Sequence, residues 1–209
     1  MSSDGPFHTD SSGTLVPASL DGYFLISETE LMDPNFNQTV VLIVNHNEEG
    51  AFGLVLNRPA GASLCDVVDE LSDCDAGEAT LFIGGPVEQH YLFTLHSGLP
   101  ERATSKYSSS PTDGIVFEPV FGSIEEYLQN EWPGSPEQHR PSFNFYLGYA
   151  GWGPGQLEHE IAEDAWLVIP ADSQIVFNDD PTEGWNAALT KKGGLYRIIA
   201  QTGFKPSLN

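Results

Sequence analysis

The run Thr39 to Asn45 (Thr-Val-Val-Leu-Ile-Val-Asn) is apolar at successive positions, so it predicts a strand covered on both faces. His46 to Gly50 turns the chain, and Gly53 to Asn57 returns as a second apolar strand, giving a hairpin. Upstream, Tyr23 to Ser27 predicts the first strand, after a lead-in from Leu15 to Leu20. Asp33-Pro34-Asn35-Phe36 predicts a turn, because proline fixes φ and its polar neighbours bond locally to backbone. Met1 to about Ser12 shows no periodicity, and residues 1–14 are expected to form a flexible tail.

Further along, Ser63 with Asp66 resembles a capping box, and Leu64, Val67, Val68 and Leu71 fall at helical spacing. A short amphipathic helix is expected there. Thr80 to Gly84, Tyr91 to Ser97 and Ile115 to Glu118 predict strands, while the polar stretch Gly98 to Thr112 is expected to be the least ordered internal segment. Ser123 with Glu126 predicts a second capping box, before a helix with Ile124, Tyr127 and Leu128 inward. After Pro170, Gln174 to Phe177 reads as a short extended piece. Asp179-Asp180-Pro181-Thr182 can cap a helix from Glu183 to about Lys192, ended by Gly193-Gly194. Leu195, Ile198 and Ile199 predict a final packed turn or strand.

The densest aromatic and glycine chemistry lies between Asn144 and Ile169. Asn144 to Ala150 alternates as a strand, and Gly151, Gly153 and Gly155 then bracket Trp152 and Pro154. Proline suits the first turn of a helix, so a helix is expected from near Pro154, with Leu157 and Ile161 inward and Glu158, Glu160, Glu163 and Asp164 wet. Trp166 to Ile169 resumes as a strand. A glycine-rich turn before a helix can cradle an anion. No Lys or Arg lies between Arg140 and Lys191, however, and the helix is acidic, so a structural corner is the stronger reading. Runs of adjacent strands without regular βαβ alternation give one α+β domain over residues 15–209, with a largely antiparallel sheet and several short helices.

Charge narrows the functional classes. The 209 residues carry 8 Lys+Arg against 30 Asp+Glu, a formal net charge of −22. Nucleic acids and anionic lipids are gripped through cations, so direct binding to either is disfavoured. The sequence holds no uninterrupted apolar span of membrane length and no signal-peptide core. Cys65 and Cys74 are too far apart for a redox pair and too few for a disulfide framework, so both are expected as reduced thiols in a cytoplasmic protein. Cys65 is expected to pack at the start of a helix.

The best candidate ligand-binding set combines His46, Asn47, Asn57, Arg58, Gly84, Gly85 and His96 with Gly151, Trp152 and Gly153 of the corner. These are residues at strand ends, where pockets form beside a rigid sheet. Taken singly, each also has a structural reading: Asn47 and Asn57 bracing turns, Arg58 pairing with an acid. Arg58 carries the most weight, because arginine is scarce here and its planar fork suits carboxylate or phosphate. His159 and Glu163 share a helix face, but a lone His–acid pair at that spacing is usually solvated, so no metal site is assigned. Asp179 and Asp180 read as helix caps before magnesium ligands. No nucleophile elbow, P-loop or dinucleotide fingerprint is present, and no cofactor is assigned.

Several segments together resemble the YqgE/AlgH family of bacterial proteins. They are Asp33 to Phe36, His46 to Pro59, Gly84-Gly85-Pro86-Val87, Leu95-His96 and Leu147 to Glu158. The resemblance runs in order from about Leu20 to Trp185. It departs at Asp164, where the family usually has Asn, and after Gly193. It implies a mixed sheet with flanking helices, a cytosolic location and no established enzymatic activity. The family's label as a transcriptional regulator is not carried over as DNA binding, given the charge and the lack of a basic recognition helix. The expectation is a non-enzymatic binding or regulatory module acting through a small anionic ligand or a protein partner. The alternative is a small hydrolase using His96 or His46, a His96-centred site being built with Asp33 or Cys65. An apolar patch around Trp152 would favour a partner surface. Nothing in the sequence sets an oligomeric state.

Overall fold

The computed structural model describes residues 8–9, 15–28, 33–178 and 180–203. Strands β1 (His8–Thr9) and β2 (Leu15–Val16) form a small antiparallel ribbon, so part of the expected tail is paired. The rest of that tail, and Asp179, lie outside the described residues. Strand β3 (Tyr23–Ser27) leads to β4 (Val40–Asn47) and β5 (Gly50–Val55), the expected hairpin, and then β6 (Pro59–Ser63). The helix expected after Ser63 is instead three 3-10 turns, Leu64–Asp66, Asp69–Leu71 and Asp75–Glu78. The capping box is present, with the Ser63 N–H and Oγ both donating to Asp66 Oδ2 at 2.8 Å. Leu64 and Leu71 are buried, but Val67 is 50% exposed, so the apolar spacing did not mark one continuous helix face.

Strands β7 (Thr80–Ile83) and β8 (Val87–His96) follow, and then a 3-10 turn at Glu101–Ala103. β9 (Ser109–Thr112) gives order within the polar stretch and pairs with β10 (Ile115–Glu118). Helix α1 (Gly122–Asn130) buries Ile124, Tyr127 and Leu128 as expected. It begins before Ser123, however, so that serine is inside the helix and caps nothing.

Past the loop, β11 (Phe143–Trp152) runs two residues into the expected corner before α2 (Gln156–Ala162) and β12 (Trp166–Pro170). Asp172 caps a single helical turn, α3 (Ser173–Val176), where an extended piece was expected. Asp180 accepts from the Thr182 N–H at the start of a 3-10 turn that leads into α4 (Gly184–Lys192). The last apolar residues form a helix, α5 (Leu195–Thr202), because Leu195, Ile199 and Ala200 pack as one stripe on the core.

The large sheet runs in the order β12-β3-β4-β5-β11-β8-β10-β9, with β7 paired to β11 and β6 to β7. Only β7–β11 is parallel among the described pairs. Strand β11 is the seam of this curled sheet. Its first half pairs with β8 and β7, and its last three residues pair with β5. Gly148, at φ 68, sits at the register shift between the halves, a bulge that re-aims the strand. Both faces of β4 are covered, as its composition requires. Leu42 and Val44 join a core with Trp185, Leu189 and Ile199, while Val41 and Ile43 join one with Leu157, Ile161 and Trp166. A third cluster packs α1 and the 3-10 turns against Phe145.

Candidate functional site

The chain leaving β5 carries Asn57 and Arg58 past the start of β4. Asn57 Oδ1 accepts from the Val40 N–H at 3.0 Å, and its Nδ2 donates to the Gln38 carbonyl at 2.9 Å. Both ends of this amide are therefore engaged in bracing backbone. The residue it holds is unusual: Gln38 has φ 51, a left-handed conformation that costs a side-chain-bearing residue about 1–2 kcal/mol. Such strain persists where the surroundings impose it.

Beside Gln38, Arg58 Nη2 donates to the Asn37 carbonyl at 2.7 Å. No carboxylate pairs with Arg58 among the described residues, although the chain has 30 acids. Arg58 is half-buried as a residue, while its bond to Asn37 is exposed, and two hollows flank it. One, of about 390 Å³, is lined by Pro34, Asn37, Gln38, Asn57, Arg58 and Thr182. The other, of about 160 Å³, includes Arg58, Pro59, Gly85, Pro86 and Gln89. A fixed planar fork with unused N–H donors and polar walls can accept a carboxylate or a phosphate oxygen pair.

Gly84 and Gly85 reach this place for reasons of close approach. The Gly84 N–H donates to Leu147 O and its carbonyl accepts from the Val55 N–H, both at 2.8 Å. A β-carbon on Gly85 would lie 2.1 Å from the Tyr149 carbonyl oxygen.

His46, Asn47 and the corner lie elsewhere, around the tip of the β4–β5 hairpin. His46 is 6% exposed. Its Nδ1 accepts from the Leu20 N–H at 3.2 Å, which places the ring proton on Nε2, 3.0 Å from Glu158 Oε1. Both ring nitrogens are thus spent on joining β4, the lead-in segment and α2. Asn47 Oδ1 accepts from the Glu49 N–H at 2.8 Å and braces the hairpin turn. Trp152 is also 6% exposed, packed against Phe36 and Trp166, so its own ring offers no exposed apolar surface. Its indole N–H donates to Glu160 Oε2 at 2.9 Å, and Trp166 donates to the same oxygen at 2.8 Å. Glu158 and Glu160 are therefore half-buried tertiary acceptors, where wet positions were expected. Gly151 and Gly153 are exposed, and the Gly153 N–H donates to Gln156 Oε1 at 3.1 Å. Gly155, at φ 73, opens α2.

His96 is in a third place, on β8 opposite Phe143 and Val116. It is 1% exposed, and neither ring nitrogen has a hydrogen-bond partner among the described residues. Burial pushes its pKa down to about 4, against the opposing pull of the Glu118 charge. Glu118 is itself buried, yet four donors converge on it: the Ser105 N–H and Oγ at 2.6 Å, Ser108 Oγ, and the Val120 N–H. Burial alone would raise this carboxyl, but those bonds hold it below the usual range.

The structure thus brings together Asn57, Arg58 and Gly85, and separates them from His46 with the corner and from His96. Gln38, Pro34 and Thr182 join the Arg58 hollows without having been singled out. Gln38's backbone conformation and Thr182's position arise from tertiary packing, which no local pattern signals. The exposed His159–Glu163 pair, at 3.5 Å, has solvent around it. Among the described residues, no group of three His, Cys, Asp or Glu side chains is placed to hold a metal. No helix among them is long and apolar enough to cross a membrane.

Residues 24–197 match the profile of the AlgH-like family. The chain is 38% identical over 197 residues to the UPF0301 protein AlgH of Pseudomonas aeruginosa, covering 90% of this chain and 96% of that one. It is 41% identical over 174 residues to the UPF0301 protein Tgr7_2910 of Thioalkalivibrio sulfidiphilus, covering 81% and 88%. The solution structure of P. aeruginosa AlgH superposes with a TM-score of 0.66 at 34% identity, covering 90% and 97%. The crystal structure of DIP2367 from Corynebacterium diphtheriae shares the fold, with a TM-score of 0.73 at 20% identity, covering 90% and 95%. The chain belongs to the AlgH-like family.

Proposed function

We propose that this protein is a non-enzymatic binding or regulatory module of the bacterial cytoplasm, acting through a small anionic ligand or an acidic segment of a protein partner held at Arg58. The observation that carries this reading is a half-buried arginine without a carboxylate partner among the described residues, beside one polar and one more apolar hollow of a strongly acidic protein. The Arg58 fork uses one N–H on the Asn37 carbonyl, and an anion arriving there gains charge-assisted hydrogen bonds from the remaining donors. Asn57 acts as a positioning residue, since its amide holds the Gln38 backbone that walls the site. Direct nucleic-acid binding draws no support from a net charge of −22.

A His-centred hydrolase draws less support. The ring nitrogens of His46 are both engaged, and the His96 ring is sealed from solvent.

The test is a thermal-shift and calorimetric screen of carboxylates, inorganic phosphate and phosphorylated metabolites. A ligand at about 100 times its dissociation constant stabilises the fold by roughly 2.7 kcal/mol. A hit lost in Arg58→Ala and weakened in Arg58→Lys is the expected result, because lysine lacks the planar fork. Binding unchanged by Arg58→Ala would refute the assignment.

A further inference from the structure

Between the 3-10 turn at Asp75–Glu78, the loop after α1 and the start of β11 lies a cleft of about 440 Å³, larger than either hollow at Arg58. Its volume falls in the range that encloses small molecules. Three half-buried rings line it, Trp132, Phe143 and Phe177. Phe143 is held firmly, 5.9 Å from Phe145 in a near-parallel stack and 5.2 Å from Trp132. The cleft therefore offers fixed aromatic surface against which another ring can stack.

Its polar groups are of defined kind, with two carboxylates, Asp75 and Glu78, and two amides, Asn144 and Asn178, in the lining. The Trp132 indole N–H is buried, with the Asp75 carboxylate beside it, so it is closed to a ligand in the cleft. The Asn144 Nδ2 is committed to the Val176 carbonyl, which leaves Oδ1 as an acceptor at the cleft. Glu78 stands exposed at the rim with no cationic partner among the described residues, and Asn178 lines the wall. The nearest cation is already engaged: Arg140 lies 4.7 Å over the Trp132 ring, pairs with Asp75 at 2.8 Å and donates to the Ser135 carbonyl at 3.1 Å.

We propose that this cleft binds a planar nitrogen heterocycle of nucleoside size that carries no negative charge. The ring stacks on the aromatic walls, and an exocyclic amine donates to Asn144 Oδ1 or Glu78. A phosphate on the same ligand would meet Glu78, with no unpaired cation lining the cleft among the described residues, in a chain of net charge −22. The charge preference is thus the reverse of that at Arg58, and the two sites are independent.

The experiment is a titration of the full chain with adenosine, with adenosine 5′-monophosphate as the charged comparison and 1-methylnicotinamide as the cationic one. Tryptophan fluorescence and calorimetry are read together. Adenosine is expected to bind more tightly than its monophosphate, to bind about tenfold more weakly to Phe143→Leu, and to be unaffected by Arg58→Ala. Glu78→Arg, at an exposed position that does not threaten folding, is expected to erase the preference over the monophosphate. The proposal is overturned if neither adenosine nor 1-methylnicotinamide binds at millimolar concentration. It is equally overturned if the monophosphate binds the unchanged protein as tightly as adenosine, if Glu78→Arg leaves the preference intact, or if Arg58→Ala removes adenosine binding.

Discussion

His46 and Glu158, 112 positions apart, are joined by a 3.0 Å hydrogen bond between Nε2 and Oε1. The bond ties the end of β4 to the first turn of α2, while the other ring nitrogen receives the Leu20 N–H. Loss of the ring should therefore cost more than loss of the carboxylate. Glu158→Ala is expected to destabilise the fold by about 1–2 kcal/mol. His46→Phe is expected to cost about 2–3 kcal/mol, since it leaves a buried N–H and a carboxylate without partners. Urea denaturation of the two variants checks the order.

The β4–β5 turn is equally exacting. Gly50 has φ 128, and a β-carbon there would lie 2.1 Å from the Trp152 carbonyl oxygen, a backbone atom that no rotamer change can move. Gly50→Ala is expected to destabilise by at least about 3 kcal/mol, through overpacking and backbone strain together. Asn47→Ala, at the position paired with Gly50 across the same turn, is expected to cost only about 1 kcal/mol. Melting temperatures of the pair separate the two effects.

Acid should weaken this protein in two stages. The His96 pKa is depressed from 6.5 to about 4 in the folded state, so the unfolded chain binds the extra proton first. Stability then falls as pH drops from about 6.5 towards 4. Glu118, held below its ordinary value of 4.5, contributes stability that is lost below that pH. Replacing His96 with Phe is expected to flatten the slope between pH 6.5 and 4 while leaving the steeper loss below it. Unfolding free energies measured across pH 3.5–7.5 check this.

Asp164 follows α2 at φ 62, a conformation that Asn and Gly adopt more readily. Its charge also sits at the negative end of the helix dipole, beside Glu163. Asp164→Asn is expected to stabilise by about 0.5–1 kcal/mol, and Asp164→Ala to destabilise. Chemical denaturation at neutral pH and low salt shows the difference best, since salt screens the dipole effect.

The apolar run of β4, the alternation of β11 and the inward face of α1 were legible because each pattern repeats at the period of its own element. The close backbone approaches at Gly84 and Gly85 were not legible, and Gly153 and Gly155 of the corner have room where a β-carbon would stand. The 3-10 turns after Ser63 and the single turn at Ser173–Val176 were not legible either, because so few residues carry no distinctive period. The C-terminal helix was ambiguous until its packing partners were known.

By itself, then, the sequence determined which segments are extended, which residues face inward, and which kinds of chemistry this acidic chain favours or disfavours. Only the tertiary structure decided how the candidate residues are grouped. It spent both nitrogens of His46 on distant backbone and carboxylate, sealed His96, turned Trp152 inward onto Glu160, and left Arg58 without a carboxylate partner among the described residues, beside two hollows. It also joined Trp132, Phe143 and Asn178 around one cleft, across 46 positions of the chain. The physical reason is that periodicity reports burial along one element, whereas a site depends on which elements meet, and that is settled by long-range strand pairing and side-chain packing.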